Sequence, residues 1–213
     1  MSLPDPSLSS MIATRKPLAV LMRLCAVIAL AGIAFAPAHA QEPEAPTETD
    51  RAAERAAQLD RLFEQLAEPG REDWERIENE IVTLWSQSDS PAMDLLLRRG
   101  NTAFEAEEYD VALEHFSALT DHAPGFAEGW NARATTFYRL GRISLSVSDI
   151  RRVLALNPRH FGAIAGLGFM LEEMGETEAA LEAFEAFRDL HPNRPNINHA
   201  ILRLERQTGT AEL

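Results

Sequence analysis

Cysteine is all but missing from this chain: Cys25 stands alone in 213 residues. No disulfide can form within the molecule, and thiol catalysis or a soft metal site would have to rest on that single residue. Lysine is as scarce, with Lys16 the sole example. Basic residues number 20 against 33 acidic ones, a net charge of −13. A nucleic-acid binder needs a basic face, and this balance speaks against one; it disfavours anionic lipid surfaces equally. Aromatics make up only 7% of residues. Catalytic signatures are absent too. Beyond residue 40 the histidines (His115, His122, His160, His191, His199) are scattered, with no zinc-ligand spacing. His122, His160 and His191 sit beside prolines and read as polar turn residues. Ser144, Ser146 and Ser148 form no nucleophile elbow. Glu107-Glu108 and Glu172-Glu173 read as solvated helix ends. We therefore expect no cofactor, no metal, no nucleic-acid partner and no enzyme. The competing expectation is an enzyme or small-ligand protein whose pocket the sequence does not reveal. Self-association through Trp74 and Trp85 is a third reading, conditional on their exposure.

What is present is ordinary globular composition, 46% apolar and 25% charged. The front end departs from it. Arg15, Lys16 and Arg23 precede an apolar run over residues 24–35, followed by Ala38-His39-Ala40. A basic start, a short apolar stretch and an A-x-A site make residues 1–40 a cleaved secretory signal peptide, so the expected location is the periplasm. An uncleaved inner-membrane anchor is the alternative, although the run falls short of the roughly 20 residues of a span. Met11 is a second candidate start. Cleavage after Ala40 would leave 17 basic residues, all arginine, against 32 acidic ones. Residues 41–50, with two prolines and four acids, read as a disordered acidic linker.

Beyond residue 90 the chain repeats. Pro124, Pro158 and Pro192 are 34 residues apart; so are Gly100, Ala134 and Gly168; Ala112, Ser146 and Ala180; and Phe116, Ile150 and Phe184. Three frames follow: 93–126, 127–160 and 161–194. Within each, positions 4, 8 and 11 share one helical face, as do positions 20, 24 and 27. Each frame is thus two helices. Gly141 and Gly175 mark the turn between them, and the prolines mark the turn into the next frame. The flanks also read as helices: 51–90 as an N-terminal helical pair, either a degenerate repeat or a cap, and 195–207 as a C-terminal capping helix. No strand pattern appears.

This pattern resembles the tetratricopeptide repeat (TPR) family. Trp130, Ala134 and Phe137 in the second frame and Leu167-Gly168 in the third stand at the family's positions. Arg99 and Arg133 depart from its expected leucine, and Ser146 from its alanine. The resemblance implies an all-α, right-handed solenoid of about nine helices with helical caps at both ends. It also implies a non-catalytic scaffold that binds a peptide or protein surface in a concave groove.

That groove would be lined by positions 2, 5, 9 and 12–13 of each frame, which helical geometry places about a third of a turn from the core stripe. On these positions the candidate protein-binding residues are Asn101, Phe104, Glu105, Asn131, Thr135, Tyr138, Arg139, Phe169 and Glu172. A side-chain amide both donates and accepts, so Asn101 and Asn131 suit an extended peptide backbone; the three rings suit apolar pockets. The acids on the stripe favour a basic or neutral partner. Family members that clamp a terminal carboxylate use two Lys, two Asn and an Arg. Here only Asn101 matches, because Leu97, Ala132, Gly162 and Gly166 hold the other places.

Overall fold

The computed structural model describes residues 47–209, among which there are nine α-helices and no strand. The signal peptide expected over 1–40, and most of the linker after it, lie outside the described residues. Helix α1 (Glu48–Leu66) starts inside the stretch expected to be linker. A reciprocal capping box explains the early start: Asp50 N–H donates to Thr47 Oγ1 at 3.2 Å, and Thr47 N–H donates to Asp50 Oδ2 at 3.0 Å.

The three frames form helical hairpins: α3 (Pro91–Glu105) with α4 (Tyr109–His122), α5 (Ala127–Arg139) with α6 (Ile143–Leu156), and α7 (Phe161–Glu173) with α8 (Thr177–Leu190). Residue size is matched within each hairpin. A Cβ on Gly168 would lie 2.6 Å from Phe184 Cε1, and one on Gly100 would strike the Phe116 ring. In the middle frame Ala134 stands at the glycine position, and the shorter Ile150 stands at the phenylalanine position. Each pair fills the same volume from opposite sides. Gly141 and Gly175 turn the chain at φ 69° and 79°. In the first frame Glu107 takes that left-handed place at φ 61°, a strained position for a residue with a side chain. Each second helix stops two residues before its proline.

The departure at Arg133 is compensated. Its guanidinium grips both oxygens of Asp149, at 2.7 and 2.9 Å, and donates to Thr120 Oγ1 at 2.8 Å. It also lies over Trp130, 4.7 Å from the ring centroid. Thr120 belongs to α4, so this arginine ties two frames together. Ser146 replaces the expected alanine and donates its hydroxyl to Ala134 O at 2.8 Å, which satisfies a buried polar group.

Helix α9 (Pro195–Thr208) closes the rear of the array, burying Ile197, Ala200, Ile201 and Leu204 in one cluster with Phe184 and Phe187. The N-terminal pair, α1 and α2 (Trp74–Trp85), does not close the front. Its apolar residues Leu62, Phe63, Leu66, Ile77 and Ile81 join the third frame and α9 in that same cluster, separate from the core of α3 and α4. The pair lies as a strap over the loops that link the frames. Trp85 stacks on His160 with centroids 4.5 Å apart and tilts onto Phe161 at 4.8 Å. Asp60 accepts from Arg159 at 2.8 Å, while the same guanidinium covers Phe63. Gly70 N–H donates to Asn193 Oδ1 at 2.7 Å, and Asn193 Nδ2 returns a bond to Glu68 O at 2.8 Å. Glu78 accepts from His191 at 2.9 Å and Arg194 at 2.6 Å.

Two sequence expectations change here. Trp74 and Trp85 are half-buried against His191 and against His160 and Phe161 at the connections between frames, not free for a second copy. His160 and His191 are buried, at 3% and 0% exposure, and are not solvated turn residues; His122 is exposed. His160 Nδ1 accepts from Ala163 N–H at 3.1 Å, so its Nε2–H donates to Glu128 Oε2 at 3.1 Å. The short connection to α3 is pinned by Asp89, which takes φ 62° and pairs with Arg55. That hydrogen-bonded pairing holds the Asp89 carboxyl below the usual carboxylate range.

Candidate functional site

The first helices of the three frames, α3, α5 and α7, bound two adjoining hollows. The front one, of about 160 Å³, lies between α3 and α5 and is lined by Asn101, Phe104, Asn131 and Thr135, with Phe116 beneath. The rear one, of about 170 Å³, lies between α5 and α7. Asn131, Thr135, Tyr138 and Phe169 line it, over a floor of Ile150 and Met170. Asn131 and Thr135 belong to both, so the hollows form one trough across the frames.

Six of the nine candidate residues are therefore brought together, and three are not. Glu105 and Arg139 end α3 and α5, and neither lines a hollow; the Arg139 guanidinium lies 5.9 Å from the Phe104 ring centroid. Glu172 is held by Arg203 of α9 through contacts of 2.7, 2.9 and 3.1 Å. Leu97, on the same helical stripe, is buried at 3% exposure and belongs to the core.

The chemistry of the trough is amide, hydroxyl and ring. Asn131 Nδ2 donates to Glu128 Oε1 at 3.3 Å, which leaves its Oδ1 as an acceptor. Thr135 Oγ1 donates to Asn131 O. Tyr138 OH donates to Glu173 Oε2 at 3.2 Å. Burial, with help from that carboxylate, pushes the Tyr138 phenol above its ordinary value, so it remains a neutral donor. The Phe169 ring stands edge-on to Phe184 at 4.9 Å and is 38% exposed. No group of three or more His, Cys, Asp or Glu side chains suited to a metal occurs among the described residues.

Sequence reasoning missed the floor of the trough. Ile150 and Met170 carry the signature of core residues, which they also are. A readable signal was nonetheless present in Gly162 and Gly166, one helical turn apart. A Cβ on Gly166 would meet nothing within 4 Å, and the rear hollow occupies that space.

The comparisons with known proteins agree with this architecture. The tetratricopeptide repeat family model matches residues 97–160 and 131–195. A TPR repeat-containing protein of Rhizobium etli is 36% identical over 158 residues, covering 73% of this chain and 78% of that one. The small glutamine-rich tetratricopeptide repeat-containing protein 2 of Saccharomyces cerevisiae is 26% identical over 56% of this chain, but the match spans only 34% of that protein. Among solved structures, the first TPR of Spaghetti bound to an HSP90 peptide superposes with a TM-score of 0.54 at 22% identity, over 56% of this chain and 95% of that one. The Yersinia enterocolitica type III secretion chaperone SycD, in complex with a peptide of the translocator YopD, superposes at 0.53 and 13% identity over 56% and 96%. These structures establish likeness of fold; the extent and identity of the Rhizobium match carry the kinship. This chain belongs to the tetratricopeptide repeat family.

Proposed function

We propose that this protein is a non-catalytic interaction module of the periplasm that binds an extended peptide segment of a partner protein along its concave trough. The observation that carries this reading is the continuity of the two hollows through Asn131 and Thr135. An extended strand offers a donor and an acceptor at each residue, and Asn101 and Asn131 answer both. Volumes of about 160 and 170 Å³ suit single apolar side chains, not a cofactor. TPR proteins are generally interaction modules, and the solved relatives bound to HSP90 and YopD peptides support the peptide reading.

The partner segment is neutral or basic. Glu128, Glu172 and Glu173 already accept hydrogen bonds from the protein's own groups, which leaves Glu105 and Arg139 near balance at the trough's edge. The periplasmic assignment rests on the signal-like pattern of residues 1–40.

The test is a library of extended peptides panned against the full chain, with Asn101→Ala/Asn131→Ala as the control. The double variant should lose binding by about tenfold or more while its circular dichroism stays unchanged. Equal binding by both proteins would remove the trough from consideration. For location, N-terminal sequencing of the protein recovered from a periplasmic fraction should start near Gln41.

A further inference from the structure

Among the described residues no element covers the front of the array. In the second and third frames the stacking face is covered by the frame before it. Gly129 and Ala163 are buried there, as are Thr136, Met170 and Asp149. The same positions in the first frame are Leu95, Thr102 and His115. Leu95 is 40% exposed where its counterparts in the later frames are buried, since α1 and α2 pack on the third frame and α9 instead. Val111, 42% exposed, lines the same face farther along, as exposed as its counterpart Leu145 in the second frame. A shallow hollow of about 480 Å³ lies on it, lined by Arg98, Arg99, Thr102, Val111 and His115, with Glu108 its one carboxylate.

The charge pattern is legible through the repeat. In the second frame Arg133 is answered by Asp149 of its own frame and Thr120 of the preceding one. Arg99 occupies the equivalent position, but His115 stands where Asp149 would. Among the described residues no carboxylate pairs with Arg98 or Arg99 within 4.0 Å. The first frame thus keeps the cation and lacks the anion, on a protein whose overall charge is −13.

We propose that this front face docks an acidic amphipathic helix from a partner protein, one that lays a stripe of apolar residues over Leu95 and Val111 and sets carboxylates against Arg98 and Arg99. A helix is the element that covers the equivalent face in the two later frames. A second copy is the wrong occupant on charge. Front-to-front contact opposes the arginines with themselves, and front-to-rear contact meets α9, which offers them no free carboxylate from Glu172, already taken by Arg203, and sets Arg206 beside exposed Leu202. This surface is separate from the trough, and the proposal does not depend on what the trough binds.

The test uses the full chain and an acetylated designed helix of about 18 residues bearing a Leu/Ala stripe flanked by glutamates, with a lysine-flanked twin. The glutamate helix should bind and shift amide resonances around Leu95, Arg98, Thr102 and His115. Arg98→Glu/Arg99→Glu should weaken it by about tenfold or more and bring the lysine helix to comparable affinity. Asn101→Ala/Asn131→Ala, run beside it, should leave this binding unchanged, which separates the two sites. The proposal falls if the shifts map to the trough, if the charge swap changes nothing, or if the glutamate helix shows no saturable binding. It falls equally if sedimentation reveals a dimer that Leu95→Glu dissolves, or if Leu95→Glu displaces residues 1–46 of the chain itself.

Discussion

The two flanks of the array have opposite fates. On the loop flank, residues 157–161 and 191–194 are covered by α1 and α2, and their side chains are engaged: Arg159 with Asp60, His160 with Trp85, His191 and Arg194 with Glu78. On the concave flank no element of the described chain covers the trough, whose polar groups bond only to near neighbours on the surface. The 34-residue period builds both flanks from the same three hairpins. One flank completes the fold, and the other carries the trough of the proposed peptide site.

The largest expected effect breaks the strap. Phe63, 6% exposed, packs against Trp85 and Phe161 and lies under the Arg159 guanidinium. Phe63→Ala should cost about 3–5 kcal/mol, read as a lower urea midpoint. If the flanks are as separate as their contacts indicate, the folded variant keeps its trough affinity. A loss of peptide affinity matching the loss of stability would show that strap and trough are one unit.

The next effect is at a residue where the flanks meet. Glu128 accepts from buried His160 on the strapped side through Oε2 and from Asn131 on the trough side through Oε1. Glu128→Ala leaves the His160 Nε2–H without its acceptor, at a cost of about 1–3 kcal/mol. It also frees the Asn131 amide. Stability and peptide affinity should therefore both move, unlike the Phe63 case, and an unchanged affinity would mean that Glu128 does not orient Asn131.

How much of this was legible before any coordinates follows the range of the interactions. The period is local: Gly100, Gly168 and the three prolines state it directly, and helical geometry then places Asn101, Asn131, Tyr138 and Phe169 on one stripe. The strap was not legible, because an apolar stripe such as Ile77 and Ile81 announces a partner without naming it. Its polar contacts join residues far apart in the chain, Asp60 to Arg159 and Glu78 to His191. The two buried histidines were misread for the same reason: beside a proline a histidine resembles a turn residue until a distant carboxylate arrives. The trough's floor was hidden differently, since Ile150 and Met170 serve core and hollow at once.

A smaller effect sharpens the comparison by reversing its sign. Gly166 sits in helix α7 with open space where its Cβ would be. Gly166→Ala should raise stability by about 0.5–1 kcal/mol through helix propensity, while narrowing the rear hollow and weakening peptide binding. Strap variants lose stability and keep affinity; this one should do the opposite. Thermal unfolding and peptide titration on the same sample would decide it, and a stabilised variant with intact affinity would mean that no ligand side chain enters the rear hollow.

The smallest effect is a titration. Tyr138 lines the rear hollow, and burial, aided by the hydrogen bond to Glu173, raises its phenol above the ordinary value of about 10. The unfolded chain therefore releases this proton at lower pH than the folded one. The stability Tyr138 contributes is complete below that ordinary value and is lost as pH rises through the folded one. Comparing the phenolate absorbance of the wild type with that of Tyr138→Phe isolates this group. Glu173→Gln should bring the midpoint only part of the way down, because burial is the larger cause. A bound peptide that fills the hollow should push the midpoint further up, since it removes more water from the ring. A midpoint that ignores a saturating peptide would place that peptide elsewhere on the molecule.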